Sequence, residues 1–260
     1  MTMRTWVRAG ALALVLGAMA APAAAQARVV HSVSFGVGYF WPRSFDSRVA
    51  GDVLVADLTQ PILPGFENEV PPVTGSLAFE ISDFRAWPLM GEWHLGFGDH
   101  FEVGLGASYQ NRVVHSVYRD LVDSNGTPDD FTDDREIMQD LRLKVIPVNA
   151  VVRVLGGRVG HVQPYAGGGL SILNFKYTET GQFVDSVTHE LFNAQYKATG
   201  TTLGGILLGG IRVPFKGDVY ALNIEGRFLW GNGDVSGNDL LGDRLDLSGG
   251  SINFTFLIRF

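Results

Sequence analysis

Ile252-Asn-Phe-Thr-Phe-Leu-Ile-Arg-Phe260 decides the fold. Side chains of an extended chain alternate between two faces. Ile252, Phe254, Phe256, Ile258 and Phe260 therefore share one face, and Asn253, Thr255, Leu257 and Arg259 share the other. An aromatic-rich apolar face backed by a partly polar one suits a barrel wall standing between lipid and a polar lumen.

The opposite end of the chain reads as a cleaved secretory signal, residues 1–27. Arg4 and Arg8 form a basic start, and Ala9 to Ala20 form an apolar core too short to span a bilayer. Ala23-Ala-Ala25 and Ala25-Gln-Ala27 both offer small-x-small cleavage points. Residues 28–260 are then expected to form one barrel domain. They hold 18 of the 20 basic residues and all 27 acidic ones, a net charge of −9, which argues against nucleic-acid binding. There is no cysteine, hence no disulfide framework and no thiol chemistry.

Eight segments with one apolar face follow, at about 30–41, 87–97, 101–113, 138–155, 162–175, 201–213, 219–230 and 250–260. The expected lipid-facing sets include Val33, Phe35 and Val37 in the first, Leu89, Trp93 and Leu95 in the second, and Val103, Leu105 and Ala107 in the third. In the fourth, Leu141, Leu143 and Val145 are expected outward. A bulge at Pro147 then shifts the lipid face to Val148, Ala150, Val152 and Val154, since proline cannot donate to a ladder. Connections alternate between short (98–100, 156–161, 214–218) and long (42–86, 114–137, 176–200, 231–249). Outer-membrane barrels pair short periplasmic turns with long extracellular loops, and an even strand number leaves both termini in the periplasm. Aromatics gather at the segment ends as interface girdles do: Phe97, Phe101, Phe215, Tyr220 and Phe260 toward the periplasm, Trp41, Trp87, Tyr109 and Trp230 toward the outside. The expected fold is all-β, a transmembrane antiparallel up-and-down barrel of eight strands. A ten-stranded barrel is the alternative, with Val53-Leu-Val-Ala56 and Leu77-Ala-Phe-Glu-Ile81 as an extra hairpin.

Phe35-Gly-Val-Gly-Tyr-Phe-Trp-Pro42, Gln163-Pro-Tyr-Ala-Gly-Gly-Gly169 and the terminal Ile258-Arg-Phe260 resemble the small outer-membrane barrels of the outer-membrane protein A transmembrane-domain type. The resemblance implies an outer-membrane location, lipid and lipopolysaccharide as surroundings, and biogenesis through periplasmic chaperones and the barrel-insertion machinery. Phe256, Ile258 and Phe260 are then the insertion signal. The chain departs from outer-membrane protein A in showing no peptidoglycan-binding domain after Phe260, so wall tethering is not implied.

A charge facing lipid at the bilayer midplane costs about 2–4 kcal/mol, so strand charges are expected to face the lumen. By phase these are Glu92, Glu102, Arg142, Lys144, Arg153, Arg212, Glu225, Arg227 and Arg259. Glu102, Arg153, Arg212 and Arg259 should lie low in the barrel, and Glu92, His94, Glu225 and Arg227 near its middle. An eight-stranded interior is just wide enough to be filled by side chains, and buried charges must pair. The expected result is a plug of ion pairs, with Glu225–Arg142 as one pair that would exchange partners in a narrow gate. The excess of basic residues would make such a gate anion-preferring.

The loops are acidic: Asp120, Asp123, Asp129, Asp130, Asp133, Asp134 and Glu136 in the second, Asp234, Asp239, Asp243 and Asp246 in the fourth. Asp123-Ser-Asn-Gly126 superficially resembles a calcium loop but lacks the required spacing and closing Glu. No metal or cofactor is expected. Gly-x-Ser-x-Gly and His-Glu-x-x-His are absent, and only the His115-Ser116 neighbours suggest lipid-modifying chemistry. The expectation is a non-enzymatic outer-membrane barrel with a structural or surface-interaction role. The alternatives are a narrow gated pore and a lipid-modifying enzyme; no external ligand is specified.

Overall fold

The computed structural model describes residues 29–43, 79–123, 135–184, 191–216, 219–235 and 244–260. The expected signal segment and Val53–Ala56 lie outside these residues. So do Leu77, the calcium-like residues 124–126, and Asp129, Asp130, Asp133, Asp134, Asp239 and Asp243. The strands are β1 (Val29–Pro42), β2 (Leu89–Phe97), β3 (Phe101–Asp123), β4 (Arg135–Leu155), β5 (Gln163–Val184), β6 (Leu191–Phe215), β7 (Tyr220–Trp230), β8 (Asn232–Asp234), β9 (Arg244–Asp246) and β10 (Gly249–Arg259). Ile81–Phe84 form a single 3-10 turn before β2.

Eight strands close an antiparallel barrel: β1 to β7 pair in chain order, β7 pairs with β10, and β10 pairs with β1. β8 and β9 pair only with each other. A closed ring offers no edge for another hairpin, so the ten-stranded alternative falls. Gly98, with φ of 63°, turns the chain between Phe97 and Phe101, which are themselves register partners.

The outward faces carry a continuous apolar belt. Phe101, Val103, Leu105, Ala107 and Tyr109 on β3 are exposed, as are Leu203, Leu207, Ile211 and Val213 on β6. An exposed apolar surface running round a closed barrel fits a lipid surround. On β4 the belt runs from Val154 to Ile146, eight steps of about 3.3 Å, or some 20 Å across the bilayer at the usual tilt. Leu105 pairs with Ala150 midway along it. Leu105→Arg is therefore expected to destabilise the barrel by about 2–4 kcal/mol. Val113→Arg, above the belt, should have far less effect. Urea unfolding of the two variants in lipid vesicles measures the difference, and equal losses would remove this placement of the bilayer.

The long outer connections differ from expectation. The described parts of segments 114–137 and 176–200 are strand: β3 to β6 continue about 40 Å along the chain past the end of the belt. β1, β2, β7 and β10 stop near its edge, at Pro42, Leu89, Trp230 and Gly249. Four strands thus project beyond the membrane as a curved sheet. Segment 231–249 also contains structure, the β8–β9 pair, which includes Asp234 and Asp246.

The expected bulge at Pro147 is absent. Between β4 and β5, Ile146, Pro147 and Val148 pair in unbroken register with Asn174, Leu173 and Ile172. The β3–β4 ladder skips the positions opposite Ile146 and Pro147 and resumes in the same register. Proline thus removes one ladder bond without shifting the pleat. Leu141, Leu143 and Val145 consequently point inward and are buried, and Arg142 and Lys144 point outward. The reason is a change of solvent. Within the bilayer the outer face is apolar and the inner face polar. In the projection the outer face meets water and the inner face becomes the core.

That core contains Val114, Ile137, Leu141, Leu143, Phe175, Tyr177 and Phe183 from the projecting sheet. Phe84, from the 3-10 turn, and Val235, Leu245 and Leu247, around β8 and β9, join it. These short segments cover the inner face that β1, β2, β7 and β10 are too short to reach.

Candidate functional site

Below the apolar core, side chains from the surrounding wall converge on the barrel axis. Their direction follows from the pleat: Glu92 and His94 are two apart on β2, Glu225 and Arg227 two apart on β7, and Glu102, Arg153 and Arg212 occupy inward positions of β3, β4 and β6. Arg153 hydrogen-bonds Glu92 through Nη1 and reaches Glu225 Oε2 at 3.2 Å. Arg227 donates to Glu225 through Nε and to Glu92 Oε2 at 2.8 Å. Arg212 forms a two-pronged bond to Glu102, at 2.8 and 3.0 Å, and donates through Nε to Asn223 Oδ1 at 3.0 Å. Three carboxylates and three guanidiniums close a network of zero net charge. Planar guanidinium forks suit this bridging, since each presents several donors in fixed directions.

Other polar and aromatic groups complete the layer. His94 lies between Glu102 Oε1, 2.9 Å from Nδ1, and Ser34 Oγ, 2.8 Å from Nε2. Asn223 Nδ2 donates to Thr255 Oγ1 at 3.1 Å. The guanidinium carbons of Arg153 and Arg212 each lie 5.8 Å from the Tyr165 ring centroid, in cation–π range. Gly104 and Gly106 on β3 leave room for the carboxylate: a Cβ on Gly104 would collide with Glu92 Oε1 and lie 2.7 Å from Arg153 Nη1.

Little space remains. A cavity of about 10 Å³ lies within the charged layer. One of about 30 Å³ lies on the periplasmic side, by Gln163 and Arg259, and one of about 40 Å³ on the outer side, by Gln110 and Asn149. A single water occupies some 10–15 Å³ on this measure.

Of the nine charges expected in the lumen, Glu92, Glu102, Arg153, Arg212, Glu225 and Arg227 meet in this network. The groups expected low and those expected in the middle merge into one layer, because Arg153 and Arg212 are long enough to join them. Arg259 stands at the periplasmic mouth, 3.4 Å from Gln163 Oε1. Arg142 and Lys144 lie outside the barrel, so the Glu225–Arg142 pair does not form and the basic excess within the layer vanishes. Arg142 donates to Asn111 Oδ1 at 3.0 Å, and the Lys144 ammonium lies 5.1 Å from the Tyr109 ring centroid. The sequence reading gives Tyr165, Ser34, Asn223 and Thr255 no place in the charge network. Their inward phase was readable, but nothing local distinguishes them from ordinary wall residues.

His115 and Ser116 are not assembled as a pair. The His115 side chain is 85% exposed on the outer face, 2.5 Å from Asp140, whereas Ser116 is buried on the inner face. Neighbours on one strand cannot share a face.

The aromatics sit at both belt edges. Phe97, Phe101 and Phe260 are exposed at the periplasmic end, where Phe260 stacks with His31. Phe256 contacts Phe35, Phe215 and Tyr220, and Ile258 is half-buried opposite Val33. Trp87 packs on Tyr39 at the outer edge, while Trp41 and Trp230 lie over Gly250 and Gly205, their register partners. A Cβ on Gly205 would meet the Trp230 ring, so glycine lets that ring lie flat against the wall.

The chain is a small transmembrane β-barrel of the outer-membrane type, with both barrel termini at the end bearing the short turns. No protein-family model and no curated protein matches it. Solved structures are similar to it, among them the outer membrane protein OprG. OprG of Pseudomonas aeruginosa is 13% identical, with 90% of this chain and 97% of that chain covered and a TM-score of 0.49. Neisserial surface protein A is 9% identical, with 89% and 96% covered and a TM-score of 0.42. The N-terminal barrel domain of OprF from Pseudomonas aeruginosa is 12% identical, with 90% and 98% covered and a TM-score of 0.39. The barrel assignment rests on strand register and the exposed belt.

Proposed function

We propose that this protein is a closed, non-enzymatic outer-membrane scaffold that holds a folded four-stranded projection on the cell surface. One observation carries the reading. The axis is filled twice, by the Glu–Arg layer and then by the apolar core of the projection, and the cavities lined by Glu92, Gln163 and Gln110 hold only about 10, 30 and 40 Å³. A conducting path would have to break buried ion pairs and also displace a packed core. The lumen residues therefore act as a structural plug, and recognition belongs to the exterior of the projection. Cleavage of residues 1–27 and the insertion role of Phe256, Ile258 and Phe260 are parts of the same proposal.

The test is single-channel recording in planar bilayers, using refolded protein whose folded form is verified by a heat-dependent shift in detergent gels. The expected result is silence at physiological salt. Discrete, reproducible openings would replace this reading with the gated pore. In that event the equal number of glutamates and arginines in the layer predicts weak ion selectivity rather than anion preference.

A further inference from the structure

The outward turn of Arg142 and Lys144 has a chemical consequence at the upper edge of the belt. Lys144 on β4 is the direct register partner of Lys176 on β5. One row above, Arg142 pairs with Thr178, and Thr178 pairs with Lys197 on β6. All four basic residues point outward, and strand spacing confines their Cα atoms to about 10 Å. Among the described residues, none of the four has a carboxylate within salt-bridge range. The nearest outward acid on β4, Asp140, is engaged by His115.

Like charges directly opposite each other on neighbouring strands are destabilising. A chain with 27 acidic and 20 basic residues has ample carboxylates to separate them, yet places none here. The height of the patch explains what takes their place. The row below it contains Ile146, Asn174 and Thr201, where the lipid-facing stripe ends. Thr201 donates to Asn174 Oδ1 at 2.8 Å, so polar pairing begins at this line. Immediately above the hydrocarbon lies the headgroup layer of the outer leaflet.

We propose that Arg142, Lys144, Lys176 and Lys197 form a binding site for the phosphorylated headgroup of an outer-leaflet glycolipid, a lipid A-type phosphate. A phosphate offers three or four acceptor oxygens to cations converging from adjacent strands. Acyl chains of the same lipid would lie along the apolar stripe below, which a soluble phosphate lacks. The site is on the outer wall and is independent of whether the lumen conducts.

Native mass spectrometry of the refolded full chain in detergent tests this, with bisphosphorylated lipid A as the probe and its dephosphorylated form as the comparison. The wild-type protein should retain the bisphosphorylated lipid and discriminate against the dephosphorylated one. The variant Arg142→Gln/Lys144→Gln/Lys176→Gln/Lys197→Gln should bind at least about tenfold more weakly, because several charge-assisted contacts are lost. The charge-conserving Lys144→Arg/Lys176→Arg should retain binding, which separates charge from structural damage. Undiminished binding in the glutamine variant would overturn the site. Equal retention of the two lipids would overturn the phosphate, and displacement by millimolar inorganic phosphate would overturn the lipid as ligand.

Discussion

Arg153→Met is expected to destabilise the refolded barrel by about 3–5 kcal/mol, as removing one partner of a buried ion pair does. Arg153 serves two carboxylates directly and stands 3.6 Å from a third, Glu102. Without it, three carboxylates share two guanidiniums in a layer with almost no room for water. Arg153→Lys should lose an intermediate amount, since an ammonium keeps the charge but cannot reach Glu92 and Glu225 through a rigid fork. Adding Glu225→Gln to Arg153→Met should recover part of the loss by restoring neutrality. Equilibrium urea unfolding in lipid vesicles reads all three. A loss under about 1 kcal/mol would mean that the layer is as solvated as a surface ion pair, and the plug would no longer be the reason for closure.

Leu141→Ala should lower stability by about 2–5 kcal/mol, while Arg142→Ala, its neighbour, should stay within about 0.5 kcal/mol. Leu141 has no exposed surface and lies in the apolar core of the projection. Arg142 is exposed on the opposite face. Added protease should cleave the projection of Leu141→Ala on intact cells faster than that of the wild type, because the core is what holds the four strands together. The opposite order of losses would return Leu141 to the lipid face and Arg142 to the lumen.

These two residues also mark where the sequence misleads. In the membrane part, one rule suffices: an apolar residue faces lipid, and a charge faces inward. The lipid-facing sets of 101–109, 203–213 and 220–230 can be read directly, as can the inward positions of Glu92, Glu102, Arg153, Arg212, Glu225 and Arg227. On β4 the same rule, applied past Ile146, demands a phase change and leads to a bulge at Pro147. The alternation is in fact unbroken, and it is the environment that reverses. A strand running from bilayer into water keeps its pleat and exchanges the polarity of its faces. Periodicity alone cannot distinguish that exchange from a bulge, because both look like a one-residue shift of the apolar positions.

The partners within the charged layer were illegible for another reason. Phase gives a side chain's face and rough height, but a long guanidinium spans several ångströms of height and crosses the axis. Only the closed ring brings Arg212 on β6 to Glu102 on β3, and Arg153 on β4 to Glu92 on β2.

The sequence by itself pointed to an antiparallel barrel of eight strands, with ten as the alternative, to most of the lipid-facing stripes within the bilayer, and to the end of the barrel that holds the termini. Each follows from local alternation and from the lengths of turns. Tertiary structure alone decided that β3 to β6 rise beyond the membrane, that an apolar core closes the barrel above the charges, and which charges meet. Those depend on what surrounds each stretch of strand: lipid, water or the opposite wall is set by the assembled barrel rather than by neighbouring residues.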